Sequence, residues 1–87
     1  MSRYATITVI GRDKTGVVAR VTNLLFDTRA NIEALEEQVT RGQFSMTIQA
    51  SWKAASFDEK ALGQGLRALG RELGMEIKWG FTDPKRP

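Results

Sequence analysis

The chain has 87 residues, of which 41% are hydrophobic and 26% are charged, as is ordinary for one globular domain. It contains neither cysteine nor histidine, which excludes disulfides, thiolate or imidazole metal ligands and every catalytic triad that uses a histidine base. The formal net charge is +3, but the basic residues are scattered, so a solvated surface is favoured over a nucleic-acid footprint.

These exclusions predict a protein that is not an enzyme and that needs neither a cofactor nor a metal ion. No segment approaches the roughly 18 apolar residues of a membrane span, and the N-terminus lacks the regions of a signal peptide. We therefore expect a cytoplasmic protein without a membrane partner. One domain is predicted over residues 1–82, followed by a mobile basic tail at residues 83–87.

The first two elements are a strand and a helix. Residues 3–10, "RYATITVI", alternate in polarity and are rich in β-branched side chains, which predicts a strand with Ala5, Ile7 and Val9 on one face. From residue 16 to residue 27 the apolar period lengthens to that of an amphipathic helix. Arg29 stands where such a helix ends, and we expect it to adopt a positive φ.

A hairpin follows. "NIEALEEQVT" (Asn31–Thr40) alternates with one slip in parity, which predicts a strand with a bulge near Glu33 or Ala34. "RGQ" supplies a tight turn, and "FSMTIQASW" then alternates without error. Its apolar positions are predicted to face inward and its polar positions, from Ser45 to Ser51, to face water.

The last two elements are a second helix and a fourth strand. "SFDE" predicts a capping box with Ser56 as N-cap and Glu59 as its partner. Leucines at 62, 66, 69 and 73 form the apolar stripe of this helix, and Gly74 is placed to end it. Residues 75–81, "MEIKWGF", alternate again as a strand. The order βαββαβ predicts a ferredoxin-like α+β sandwich, with a four-stranded antiparallel sheet and both helices on one face.

The entrance of the first helix, "GRDKTG" (residues 11–16), is the candidate site. Free backbone N–H groups at the start of a helix and the positive end of its dipole favour an anionic group. A simpler interpretation is that Asp13 or Thr15 only caps the helix. A second polar residue, Asn31, begins the next strand, and we expect it to lie close to this loop.

The motif "DKTGVV", the helix after it and the following "NI" resemble the ACT domain family, small βαββαβ regulatory modules that bind amino acids. The resemblance covers nearly the whole chain. It is strongest toward stand-alone ACT proteins related to the glycine cleavage system repressor and toward the N-terminal ACT segment of formyltetrahydrofolate deformylases.

This resemblance implies a homodimer built by pairing second strands, with an amino acid or similar small carboxylate between the first loop of one subunit and the second strand of its neighbour. A separate protein partner would receive the signal. The implied ligand-binding residues are four in the loop and two in the strand: Gly11, Asp13, Gly16 and Val17, and Asn31 and Ile32. The alternative is a dimeric interaction module without a ligand.

Three other functions share features of this sequence. An RNA-recognition module has the same βαββαβ order, but its stacking aromatics must face outward, whereas Phe44 is predicted to face inward. An acylphosphatase-like hydrolase would use Arg12 and Asn31 around a phosphate. A cation site at Glu36 and Glu37 is disfavoured because adjacent residues of a strand point to opposite faces.

Overall fold

A computed structural model, which describes residues 2–12 and 15–82, confirms the βαββαβ order and the ferredoxin-like fold. The strands are β1 (Ser2–Arg12), β2 (Asn31–Thr40), β3 (Gln43–Lys53) and β4 (Glu76–Thr82). The helices are α1 (Val17–Asp27) and α2 (Glu59–Leu73), with a short 3₁₀ helix at Ala54–Ser56. The strands pair antiparallel in the order β2-β3-β1-β4. Asp13 and the tail lie outside the described residues.

The core lies between the two helices and one face of the sheet. Every inward position predicted for β1 and β3 is buried, and Ile7, Met46 and Ile48 are fully so. Helix α2 contributes its predicted leucine stripe, and α1 adds three residues at helical spacing: Val17, Val21 and Leu25. Strict alternation in the strands thus gives one continuous apolar layer under both helices.

Strand β2 forms one edge of the sheet and carries the predicted bulge. Its pairing with β3 shifts between Ile32 and Ala34, so Glu33 is the extra residue. All ten residues of β2 are exposed, in contrast to the alternating burial of β3. Its apolar residues therefore lie on the helix-covered face of the sheet but beyond the cover that α1 and α2 provide.

Close contacts fix the two helices. A Cβ added at Gly65 in α2 would lie 2.8 Å from Leu24 Cδ1 in α1, so a glycine here lets the helices approach. At the end of α1, the Trp52 indole N–H donates to Thr28 Oγ1 at 3.1 Å, which ties the helix terminus to β3. The close approach at Gly65 also means that packing against α1 supports α2, whose glycines lower its helix propensity.

The predicted capping box at α2 is wrong. The N-cap is Asp58, whose Oδ1 accepts from the Ala61 N–H at 3.0 Å, and Ser56 belongs to the preceding 3₁₀ helix. Phe57 explains the shift, because its ring packs against Trp52 and Phe81 at centroid distances of 5.0 and 5.6 Å. Those contacts hold the chain extended at Phe57, so the helix starts after it.

Of three local predictions, two are confirmed and one is confirmed only in part. Arg29 has φ 68°, as predicted, and Gly74 ends α2 with the same positive φ. The open face of β3 is only partly as predicted, because Ser51 is buried rather than facing water. The cause is a hydrogen bond that Ser51 Oγ donates to the Glu33 carboxylate, which covers it.

Candidate functional site

Among the described residues, no side chain caps the N-terminus of α1. The N-cap residue is Gly16, with φ 84°, a conformation that glycine adopts without strain. Thr15 is therefore not the cap, contrary to one of the predicted possibilities. The first turn contains no acidic residue among those described. The positive end of the helix dipole and the first-turn N–H groups of Val17 and Val18 remain suited to an anionic group.

Two of the loop residues predicted for the site occupy other environments. Gly11 belongs to β1, where it pairs with Phe44, and a Cβ there would lie 2.8 Å from Met75 Cγ. Val17 is only 1% exposed, so its side chain belongs to the core and only its backbone N–H can reach a ligand. Asp13, the predicted acceptor for an ammonium group, lies outside the described residues.

Asn31 belongs to a polar cluster at the start of β2. Its Nδ2 donates to Glu33 Oε2 at 2.7 Å, and Ser51 Oγ donates to the same oxygen at 2.6 Å. These two hydrogen bonds, that from Ser51 being the stronger cause, lower the pKa of the Glu33 carboxyl. Sequence analysis placed Glu33 at or next to the predicted bulge and gave it no part in the site; that bulge was the available signal.

The pKa of Glu33 should respond to these donors. We expect Ser51→Ala to raise it toward its ordinary value, because the carboxylate loses a donor that favours the charged form. A lowered pKa in the folded state stabilises the fold above the unfolded-state pKa, and this contribution is lost as pH falls through the folded pKa. NMR titration of the Glu33 carboxyl carbon measures the change. Ser45→Ala, on the same face of the same strand, is the control, and an unchanged Glu33 pKa in Ser51→Ala would contradict the assignment.

Within one chain the two halves of the predicted site are far apart. Asn31 is level with Ser51, which is level with Tyr4 on β1, whereas Gly11 lies seven residues further along β1. At about 3.3 Å per residue, that separation is roughly 23 Å. The expectation that Asn31 lies close to the first loop is therefore wrong for a single chain, because β1 and β2 run parallel.

Strand β2 carries most of the large apolar side chains that are exposed. In the described part of the chain these side chains are Phe26 in α1 and, in β2, Ile32, Leu35 and Val39, with 36% to 77% of each exposed. The last three form what we call the β2 strip, on the helix side of the sheet. Ile32, predicted as a ligand contact, is a member of this strip. Such a strip beside an unpaired strand edge favours an interaction with another surface.

Within one chain, the geometry does not support the other functions considered. Phe44 is buried, so the aromatic that an RNA-recognition module would expose faces the core. Arg12 is level with Gln43 while Asn31 is level with Ser51, which separates the two hydrolase residues by the length of β3. Glu36 and Glu37 point to opposite faces, opposite Thr47 and Met46. Among residues 2–12 and 15–82, no three acidic side chains gather as a metal site would require.

Comparison with known proteins identifies the family. Residues 3–80 match the family model of the ACT domain. The chain belongs to the ACT domain family. A UPF0237 protein of the archaeon Methanosarcina mazei is 38% identical over 80 residues, which cover 92% of this chain and 87% of the relative.

Solved ACT structures agree. An ACT domain protein from Streptococcus pneumoniae is 28% identical with a TM-score of 0.79, over 91% of this chain and 89% of that one. A structure assigned as a glycine cleavage system transcriptional repressor superposes with a TM-score of 0.87 at 18% identity, and a formyltetrahydrofolate deformylase from Pseudomonas putida with 0.79 at 24%. The superposition with the repressor covers 100% of this chain and 50% of the repressor chain. The superposition with the deformylase covers 95% of this chain and 29% of the deformylase chain. At those identities the likeness shows the shared ACT fold.

ACT domains are generally small-molecule-binding regulatory domains, and this match indicates no catalytic family. In the described part of this ACT chain, neither helix is long and apolar enough to cross a membrane.

Proposed function

We propose that this protein is a regulatory ACT homodimer that binds an amino acid or similar small carboxylate between its subunits and modulates a separate protein partner. The observation that carries the proposal is the outer edge of β2. This strand pairs with β3 on one side only, and the chain's own helices leave its apolar strip exposed. Two copies paired at this edge would cover the strip with each other's helix layers and remove the unpaired edge.

A two-fold axis perpendicular to the sheet also reunites the two halves of the site. Strand β2 then runs antiparallel to its counterpart, so Asn31 of the partner subunit comes to the end of the sheet where β1 meets α1. The two halves of the site are then separated only across the strands. The distance from β1 to the partner's β2 is three strand spacings, or about 14 Å. A ligand bound between the two subunits would have to bridge that width.

The chemistry of the two halves suits a zwitterion. The N-terminus of α1, whose N-cap residue is Gly16, supplies backbone N–H donors and the positive end of the helix dipole for a carboxylate. Asp13, in the connecting loop, supplies a charge-assisted acceptor for the ammonium group. Asn31 can donate to the carboxylate or accept from the ammonium. These groups suffice to hold a zwitterion, and the role that we propose for the site is regulatory.

Ligand binding is coupled to assembly in this arrangement. A ligand that contacts both chains binds the dimer but not the separated subunits, so occupancy stabilises the dimer. A partner protein that recognises the dimer surface would then report the amino acid concentration.

Thermal denaturation against the twenty amino acids, with the dimer mass checked alongside, tests the proposal. A ligand at a hundredfold excess over its Kd stabilises by about 2.7 kcal/mol, which for a domain of this size raises Tm by roughly 10–20 °C. We expect such a shift for one amino acid or a few related ones, and its loss in Asp13→Ala. Asp27→Ala, which removes a carboxylate at the far end of α1, should keep it. A shift that persists in Asp13→Ala would contradict the assigned role of that residue.

A second candidate function is a dimeric interaction module without a ligand. The specific observation in its favour is that the Asn31 side-chain amide already donates to Glu33 in the same chain. A stable dimer whose Tm responds to none of the twenty amino acids would select this second function.

A further inference from the structure

A second concavity lies at the end of the sheet where β1 finishes and the β2–β3 turn begins. Its volume is about 400 Å³, within the range of small-molecule sites. It is lined by Gly11, Arg12, Arg41, Gly42 and Gln43. Arg12 is level with Gln43, one position beyond Gly11, so its side chain leaves the sheet on the open face rather than on the face of the helices. This concavity is therefore distinct from the entrance of α1.

Both arginines that line it lack an acidic partner within the described residues. Elsewhere in that part of the chain, Arg3 approaches Glu59, Arg20 pairs with Glu72, and Arg67 stacks on Trp79. Among the described residues Arg12, Arg29, Arg41 and Arg71 form no corresponding contact, and of these four Arg12 and Arg41 line one concavity together.

The nearest described carboxylates do not neutralise this charge. Glu76 is level with Ile10, two residues before Arg12, and its carboxylate is paired with Lys78 at 2.9 Å. Glu37 is level with Met46, three positions before the end of the hairpin, on the helix face. Arg12 and Arg41 therefore place two positive charges at this end of the sheet, and neither is paired with a described carboxylate.

Arg41 also occupies a backbone position that disfavours arginine. Its φ is 53° and that of Gly42 is 80°, so both central residues of the hairpin turn have positive φ. Such turns favour asparagine, aspartate or glycine at the first position. A side chain held there against backbone preference, beside a second unpaired guanidinium, motivates a functional hypothesis.

We propose that this concavity binds a doubly charged oxyanion of a small molecule. The planar forks of Arg12 and Arg41 match the oxygens of a phosphate monoester or of two carboxylates, and each can donate two hydrogen bonds. The two negative charges of such a ligand match the two positive charges of the Arg12 and Arg41 side chains. This anion site is separate from the amino-acid site of the proposed function and is present in one chain, so it does not depend on dimerisation.

NMR titration of the whole protein with inorganic phosphate, and separately with succinate, tests the proposal at constant ionic strength. We expect saturable shifts of the Arg12, Gly42 and Gln43 amides, and a Kd at least about tenfold weaker in Arg12→Gln and in Arg41→Gln. Arg29→Gln is the matched control, since Arg29 is also exposed and also has a positive φ. Its Kd should equal that of the wild type. Saturation by phosphate alone, or by succinate alone, identifies which oxyanion the site takes.

Arg41→Gly separates binding from folding. Glycine relieves the positive φ, so this variant should be at least as stable as the wild type while its anion Kd weakens at least about tenfold. The proposal is overturned if neither anion gives saturable shifts in the wild type, or if the Arg12 and Arg41 variants bind as tightly as Arg29→Gln. Either result leaves the amino-acid response of the proposed dimer unaffected, so the two proposals fail separately.

Discussion

Replacing Leu35 by arginine is expected to convert the proposed dimer into a folded monomer. Leu35 lies in the middle of the β2 strip, 36% exposed in the single chain and opposite Ile48. By two-fold symmetry each substitution acts twice, removing two leucines and placing two cations in the interface. Full burial of a leucine side chain contributes about 1.5–3 kcal/mol, so covering the exposed third of two leucines contributes about 1–2 kcal/mol. With the two added cations, the dimer Kd should rise by a factor of roughly 10 or more.

Sedimentation equilibrium measures this change, and circular dichroism checks that the variant is folded. Gln38→Arg is the matched control, because it adds the same charge to the same strand but on the open face, opposite Ser45. That variant should remain a dimer. If Leu35→Arg dimerises as tightly as Gln38→Arg, the β2 strip is not the interface and the assembly proposed for this protein is wrong.

The fold was predictable because its signals are local and periodic. Alternation in β3 identified every buried apolar position from Phe44 to Trp52, though not the buried Ser51, and the parity slip in β2 placed the bulge near Glu33 or Ala34. The start of α2 was missed because two residues of "SFDE" satisfy the N-cap preference equally well. What decides between them is the packing of Phe57 against Trp52 and Phe81, a contact between residues distant in sequence.

The site was less predictable because it depends on how strands are placed relative to one another. A strand–helix–strand unit makes β1 and β2 parallel, which puts Asn31 and the end of β1 at opposite ends of the sheet. That consequence follows from the βαβ order, but motif spacing alone suggested the reverse. Likewise, the alternation of β2 gave no indication that its apolar positions would be exposed. Exposure reflects where the two helices end, which no pattern within β2 encodes.

Mixing two defective variants tests most directly whether the ligand site is shared between subunits. Asp13→Ala and Asn31→Ala homodimers should each fail to bind the amino acid that the thermal screen identifies. A heterodimer of the two contains one site with both defects and one site with neither. At equal concentrations and random exchange, half of the dimers are mixed, so about a quarter of all sites regain wild-type affinity.

Isothermal titration calorimetry of the mixture, with heterodimer formation verified by native mass spectrometry, gives the answer. Asp13→Ala mixed with a tagged copy of itself is the control and should recover no sites. We predict recovery of about a quarter of the wild-type binding capacity at wild-type affinity. Verified heterodimers that recover no binding would contradict a site built from the first loop of one subunit and the second strand of the other.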